Sequence, residues 1–180
     1  IKLVFASIYS PESRAYFNAI DYMIEEEKMA VIIQEVIGNE HNGRYYPEIS
    51  GVAQSYNFYP FSYIQPEDGF AVTAIGLGAY VVGGEKTHRF SPAYPKLQLA
   101  STQDKIKASQ RYFYGVNMLA QDYDLYRDGE NAAIKAYDIS EAERDGTLEY
   151  TASVYDFMND QITYDFSVKG PRIVDFSKIL

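Results

Sequence analysis

A run of closely spaced glycines, set directly after an apolar stretch, is the feature that most constrains how this chain folds. The sequence AVTAIGLGAYVVGG places Gly76 and Gly78 behind a run of β-forming residues and ends on a further glycine pair. Glycine adopts backbone conformations that other residues avoid, so the pattern predicts a buried strand that turns sharply into a short helix or turn. Turns of this kind also bring backbone N–H groups close to phosphates.

The two best-defined phosphate-binding motifs do not fit this stretch. A P-loop needs a glycine directly before its lysine, and here GGEKT puts Glu85 before Lys86. A dinucleotide-binding fingerprint needs a third glycine, where this chain has Val81. Spacing alone therefore favours a tight connection between a strand and a helix that binds no ligand.

The residues before the glycine stretch predict helices, a strand and a hairpin. Residues 1–8 read as the end of a helix, and a second helix begins after Ser10, a good N-cap, with Pro11 in its first turn. The β-branched residues of MAVIIQEVIG, residues 29–38, predict a buried strand, and NEHNG predicts the turn of a hairpin. Because the apolar stripe of a helix is already under way at Ile1, we expect the chain to be a piece of a longer protein.

From Lys96 onward the sequence changes to short, tyrosine-rich stretches separated by turns. Strands are predicted in QRYFYGVNM, AAIKAYDI, LEYTASVYD and QITYDF. SEAERDG predicts a short helix with Ser140 as its N-cap and Glu143 completing a capping box. We therefore divide the chain into residues 1–95 and a β-rich extension, residues 96–180, which either packs on the same domain or forms its own.

Composition and charge exclude several classes of function. The formal net charge of -9 argues against a nucleic acid or an anionic membrane as the main partner, although a local cluster of N–H groups and cations can still bind ATP. The absence of cysteine excludes disulfides and thiolate zinc sites, and the chain's histidines, His41 and His88, are too far apart to argue for a metal site. No apolar run approaches the ~20 residues that span a membrane, and a cytoplasmic location fits.

Four short motifs follow one another along the first half of the chain: KLVFASIYSPESRAYF, MAVIIQEVIGN, SGVAQSYNFYP and AIGLGAYVVGG. Their order resembles the PEP/pyruvate-binding family, the N-terminal nucleotide-binding module of phosphoenolpyruvate synthase and pyruvate phosphate dikinase. That family has a V-x-A-S-x-[YF]-[ST] helix, an A-V-x-[VI]-Q-x-[MV]-V strand, an S-G-V-x-[FQ] strand and a G-L-G-E-x-V-V-x-G segment. The motifs together are far more specific than any one of them, and the resemblance covers roughly residues 1–95.

The resemblance implies an α+β fold that is part of an ATP-grasp domain, in which two lobes close on ATP. This chain would supply the C-terminal lobe of the nucleotide-binding module, with a mixed or antiparallel sheet, packed helices and the β-rich C-terminal extension. Family chemistry moves the β-phosphoryl group of ATP to a histidine on a swivelling domain, and a third domain then makes phosphoenolpyruvate from pyruvate. The implied cofactors are ATP and Mg²⁺, and the implied partners are the phosphohistidine and pyruvate domains of a longer parent chain.

The resemblance also implies an adenine-binding segment at the end of the predicted strand. The backbone around Gln34, Glu35 and Val36 would meet the adenine ring. The residues alone leave a second interpretation open, in which this is an edge strand whose Gln34 and Glu35 side chains face water.

The glycine segment would lie near the phosphates and the metal, with Gly76 and Gly78 as binding residues. Arg89 is the best candidate for a phosphate-binding cation, with a surface ion pair as an equal alternative. The acid of the family's G-L-G-E motif, which would help to hold the metal, is Ala79 here. Alanine cannot ligate a metal, so Glu85 is the candidate that takes its place.

The leading hypothesis is therefore a fragment of a phosphotransferase of the phosphoenolpyruvate synthase type, contributing to ATP and Mg²⁺ binding. Because the family's lysine and arginine motifs would precede Ile1, we expect little activity and poor ATP affinity from this chain alone. The alternative is a degenerate ATP-grasp scaffold with a regulatory or protein-interaction role, which Ala79 and the tyrosine-rich second half favour. A third hypothesis is a carbohydrate-binding β module built on exposed tyrosines.

Overall fold

The computed structural model describes residues 1–21, 23, 26–60, 62–97, 100–121, 124–129 and 132–180. It divides into two units. Unit 1 comprises Ile1–Val36 and Asp124–Gly129, and unit 2 comprises Ile37–Tyr123 and Glu130–Leu180. Among the residues described, none of the helices is both long and apolar enough to cross a membrane.

Short helices and short strands are interspersed along the chain. The helices are α1 (Lys2–Ser7), α2 (Pro11–Ala19), α3 (Ala79–Val82), α4 (Thr102–Ala108), α5 (Leu125–Asp128), α6 (Ile139–Arg144) and α7 (Leu148–Thr151), with a 3₁₀ turn at Pro66–Asp68. The strands are β1 (Asn39–His41), β2 (Arg44–Tyr46), β3 (Ser50–Gln54), β4 (Phe70–Ala74), β5 (His88–Phe90), β6 (Tyr112–Asn117), β7 (Ile134–Asp138), β8 (Ala152–Asp156), β9 (Gln161–Thr163) and β10 (Arg172–Val174).

In unit 1 the predicted helix start is confirmed, but the predicted strand is wrong. The Ser10 hydroxyl accepts a hydrogen bond from the Ser13 N–H at 3.2 Å, and Pro11 is the first residue of α2. Residues 27–38 have no regular structure. Ile32 and Ile33 are 83% and 76% exposed, so this β-branched run has no covering layer among the described residues. Residues with high strand propensity form a strand only when a neighbouring strand and a packed face are available. Among the described residues, this segment has neither.

The predicted hairpin at NEHNG is confirmed as a two-residue turn between β1 and β2. Asn42 and Gly43 both have positive φ, 50° and 78°, and His41 pairs with Arg44 across the turn. This Asn-Gly geometry matches the twist of the two strands it joins. The hairpin begins the first sheet of unit 2.

The strands of unit 2 form antiparallel sheets. Their orders are β1-β2-β6-β7, β3-β4-β5 and β10-β8-β9, and every strand pair described is antiparallel. The protein is thus mixed α+β with antiparallel sheets, which confirms this part of the predicted fold. The first sheet combines strands from both sides of residue 95, while the boundary between residues 1–95 and 96–180 stays a prediction.

The second half contains strands within each of the stretches that predicted them, but two local details are wrong. The start of LEYTASVYD is helical, α7, and β8 begins only at Ala152. The N-cap of α6 is Asp138, whose carboxylate accepts from the Ser140 N–H at 2.9 Å, and not Ser140. The predicted capping box also fails, because Glu143 pairs with Arg172. Aspartate and serine are equally good caps, and the helix starts at the earlier of the two.

A buried ionic cluster fastens the β1–β2 hairpin to the end of α6. The Asp145 side chain is fully buried, and Arg44 donates to its carboxylate through Nη2 at 2.6 Å and Nε at 3.1 Å. The Tyr46 hydroxyl and the Asn42 amide also donate to it, at 2.9 Å and 2.7 Å. Burial raises the pKa of Asp145, but these donors outweigh burial and leave the pKa lowered. The carboxylate is therefore held ionised inside the protein.

This cluster gives a first testable prediction. Replacing Arg44 by Met leaves the buried Asp145 charge without its main partner and should lower the free energy of unfolding by about 3–5 kcal/mol. Arg144→Met is the matched control. Arg144 pairs with Glu141, as Arg44 does at 3.1 Å, but Arg144 is 69% exposed, so the change should cost less than about 1 kcal/mol. Urea unfolding of both variants measures the difference, and equal losses would refute the assignment.

Candidate functional site

The first part of the candidate site is the turn that follows β4. Gly76 is buried with φ 87°, and its N–H donates to the Pro47 carbonyl at 3.1 Å. A Cβ at this position would lie 2.6 Å from the Tyr114 carbonyl oxygen. The Leu77 N–H donates to that same oxygen at 2.8 Å. Gly76 therefore serves close packing against β6, and its N–H is already bonded within the protein.

A buried glutamine fixes the residue just before this turn. The Gln110 side-chain oxygen accepts from the Ile75 N–H at 2.9 Å, and its amide nitrogen donates to the Ile75 carbonyl at 2.9 Å. The same nitrogen donates to the Tyr112 carbonyl at 2.9 Å. The turn therefore leaves the sheet from a fixed point.

Gly78 differs from Gly76 in every respect that bears on ligand binding. It is exposed, its φ of -57° is helical, and a Cβ there would meet no atom within 4 Å. The pair Gly83 and Gly84 is also exposed, and Gly84 has φ 76°. The part of the glycine segment that faces solvent is therefore Gly78 and the Gly83–Gly84 bend.

Tyrosines surround Glu85 directly after this bend. The nearby Glu85 carboxylate raises the pKa of Tyr112. Tyr80 packs its ring edge on Tyr112 with the centroids 5.3 Å apart. Burial raises the pKa of Tyr80 to about 12, and the negative charge of Glu85 adds to this effect. These phenols stay protonated at neutral pH and act as hydrogen-bond donors.

Glu85 has limited means to hold a metal. In the described part of the chain, no group of three or more His, Asp or Glu residues could bind an ion, and Ala79 is an exposed first residue of α3. Mg²⁺ often uses one or two carboxylates together with substrate phosphates and water. Glu85 fits such a partial role, with the other ligands supplied by a bound nucleotide and solvent.

Arg89 lies exposed on β5 but is held in place. One Nη2 donates to the buried Asn57 side-chain oxygen at 2.9 Å, and the guanidinium lies 4.0 Å from the centroid of the Phe70 ring. In the described residues Arg89 has no carboxylate partner, so the surface ion pair considered from the sequence is not formed among them. The guanidinium keeps further donors for an anion.

The predicted adenine-binding residues belong to unit 1. Gln34, Glu35 and Val36 are exposed and lie in the irregular segment, so the strand on which the expectation rested is absent. Their role in binding stays a prediction. The other candidates, Gly76, Gly78, Glu85 and Arg89, belong to unit 2.

The structure also contains a cavity of about 590 Å³ in unit 2 that the sequence did not predict. Residues from distant parts of the chain line it, among them Ile64, His88, Lys105 and Asp175. No motif links these positions, so the only sequence signal was the proximity of His88 to the glycine segment. Burial lowers the pKa of His88, Asp175 counteracts this, and Lys105 adds to the lowering.

The fold and the glycine segment define a mixed α+β domain whose solvent-facing turn follows a buried strand. The sequence matches the family described as pyruvate phosphate dikinase, AMP/ATP-binding domain, over residues 1–152, and the chain belongs to that family. The match extends well past residue 95, where the motif resemblance ended, and includes β6 and β7. Neither a curated protein nor a solved structure matches the chain significantly.

The contrast between the two glycines gives a second prediction. Gly76→Ala forces a side chain into positive φ against the Tyr114 carbonyl and should destabilise the protein by at least about 1–2 kcal/mol. Gly78→Ala meets open space at a helical φ and should be neutral or stabilising by up to about 1 kcal/mol. Thermal unfolding of the two variants measures this. A comparable loss in Gly78→Ala would contradict the geometry.

The half-buried imidazole of His88 gives a third prediction. Its folded-state pKa lies below the usual 6.5. Below pH 6.5 the unfolded chain therefore binds more protons, and the free energy of unfolding should fall as the pH drops from 6.5 toward the folded-state pKa. Urea unfolding at a series of pH values should show a flatter profile for His88→Gln in this window. Parallel profiles for the two proteins would exclude His88 as the titrating group.

Proposed function

We propose that this chain contributes to ATP binding in a phosphotransferase of the phosphoenolpyruvate synthase type. The family match over residues 1–152 carries this proposal, because it spans the glycine segment and Arg89. In the proposed reaction, a phosphoryl group passes from ATP to a histidine on another domain of a longer, cytoplasmic parent protein. A pyruvate-binding domain of the same parent then uses it, and the ATP-grasp arrangement of two lobes is part of the proposal.

The geometry around Arg89 supports a role in binding phosphate. The side chain is anchored by Asn57 and by the Phe70 ring, so little of its conformational freedom remains to be lost when an anion binds. Exposed guanidinium donors recognise phosphate oxygens well, often through two parallel hydrogen bonds. Gly78 would allow a phosphate to approach the backbone closely, since no side chain covers it.

Mg²⁺ would be held in part by Glu85 in this proposal. One carboxylate, supplemented by phosphate oxygens and water, matches the coordination that Mg²⁺ prefers at nucleotide sites. When bound, the ion would neutralise phosphate charge. The Tyr112 phenol lies close enough to Glu85 to interact electrostatically with its carboxylate. Gln34, Glu35 and Val36 remain the proposed adenine-binding residues.

A degenerate scaffold is the second candidate function, and two observations favour it. The family's metal-binding acid is replaced by the exposed Ala79. The N–H of Gly76 is bonded to Pro47 and is not free for a phosphate. A chain of this kind would keep the fold and use its surface for regulation or for contact with other proteins.

Calorimetric titration with Mg²⁺-ATP separates the two functions. The expected result is weak binding that EDTA reduces, with a dissociation constant at least about tenfold higher in Arg89→Met, a loss of about 1.4 kcal/mol. Methionine keeps the apolar stem on Phe70 while removing the charge. Arg111→Met is the matched control, because Arg111 is an exposed arginine whose side chain donates to the Ile106 carbonyl, and it should leave affinity unchanged.

Other outcomes decide against parts of the proposal. Equal losses in the two arginine variants would remove Arg89 from the site. Unchanged magnesium dependence in Glu85→Gln would remove Glu85 as a metal ligand. Absence of ATP binding in both this chain and its parent protein would favour the scaffold. Acid-labile phosphorylation of the parent by ATP labelled at the β-phosphate tests the transfer step separately.

A further inference from the structure

The cavity of unit 2 has a chemistry of its own. Its volume of about 590 Å³ lies within the range of small-molecule sites. It is enclosed by β5, by α4 and by the final residues of the chain, including Ile173 and Leu180. These final residues follow the segment that matches the family, so the cavity is assembled partly from sequence outside the family pattern.

The walls of the cavity are largely apolar. The side chains that give it this character are those of Ile64, Phe90, Leu97, Ile173, Val174 and Leu180. The His88 and Phe90 rings stack with their centroids 5.7 Å apart and an angle of 27° between their planes. A flat or branched hydrocarbon body would therefore replace water here favourably.

The charged side chains that line the cavity are those of Arg89, Lys96, Lys105, Asp104 and Asp175, so its cations exceed its acids by one. Asp104 accepts from the Ser101 hydroxyl at 2.6 Å, and Asp175 accepts from Ser153 and Ser177 at 2.8 Å and 2.9 Å, so both acids have internal donors. In the described part of the chain, the Lys96 and Lys105 ammonium groups have no hydrogen-bond or ion-pair partner. Two lysines thus remain available to an anion at an apolar cavity.

Arg89 also lines the cavity, together with Asn57 and Phe70, the two residues that hold its side chain. Arg89 pairs with Val72 and contacts Phe70, two residues earlier on the same face, whereas His88 and Phe90 alternate with it along β5. The Arg89 side chain and the His88 and Phe90 rings therefore leave opposite faces of β5, and the position proposed for a nucleotide phosphate adjoins the cavity.

We infer that this cavity binds a small organic anion with an apolar, flat or branched body and one carboxylate or sulfonate group. The body lies between the His88–Phe90 stack and the Ile173–Leu180 wall, and Lys105 meets the anionic end. The cavity shares Arg89 with the proposed phosphate site, so the inference is tested at Lys105 and the apolar wall, and competition with Mg²⁺-ATP separates its failure from that of the proposed function.

Fluorescence titration with 8-anilinonaphthalene-1-sulfonate tests the inference, with neutral N-phenyl-1-naphthylamine as the matched probe that lacks the sulfonate. Lys105→Glu should raise the dissociation constant of the anionic probe at least about tenfold and leave that of the neutral probe nearly unchanged. Lys107→Glu makes the same charge change on the exposed face of α4 and should alter neither. Ala108→Phe, which adds a ring at the cavity wall, should weaken both probes.

Three results would overturn the inference. Equal effects of Lys105→Glu and Lys107→Glu would mean that only overall charge matters. Unchanged binding of both probes in Ala108→Phe would place them elsewhere on the protein. Displacement of the anionic probe by Mg²⁺-ATP would make the cavity the nucleotide site. Urea unfolding of each variant checks that it remains folded during the titration.

Discussion

The buried side chain of Gln110 is the interaction on which the candidate site depends. Its amide satisfies both the N–H and the carbonyl of Ile75, at the point where β4 has ended and no strand partner remains. Buried backbone groups without partners cost about 1–3 kcal/mol each, so one side chain that satisfies two of them stabilises the turn strongly. Gln110 lies two residues before β6, which belongs to a different sheet from β4. Its side chain therefore connects the β3-β4-β5 sheet to the β1-β2-β6-β7 sheet. The glycine segment begins from this junction.

Local sequence chemistry predicted the elements whose causes are local. The Ser10–Pro11 helix start and the Asn42–Gly43 hairpin each depend on a few adjacent residues, and both are present. The strand predicted over residues 29–38 failed because a strand needs a partner, which a β-branched run does not itself provide. The prediction that Ser140 caps α6 was wrong because Asp138 is an equally good N-cap and lies earlier in the chain. The end of the preceding strand, β7, decides at which of the two the helix begins.

The candidate site was predictable only in part, because several of its contacts join residues that are distant in sequence. The sequence singled out Gly76 and Gly78 together, yet the carbonyl of Tyr114 makes the first a packing residue and leaves the second open. Arg89 was singled out as a candidate phosphate-binding cation, a role that stays a prediction, and its anchoring by Asn57 arises from a loop far away in sequence. The cavity was missed altogether, because it joins residues such as Ile64 and Leu180 that no local pattern connects.

The distribution of charge reconciles an acidic protein with sites for anions. The net charge of -9 describes the whole chain, whereas binding depends on cations that lack internal partners. Arg44 and Arg172 are engaged in ion pairs that hold the fold together. Arg89 and Lys105 are not engaged in this way in the described part of the chain, and both line the cavity, from β5 and α4. Internal ion pairs thus neutralise the structural arginines and leave these two cations available at the cavity.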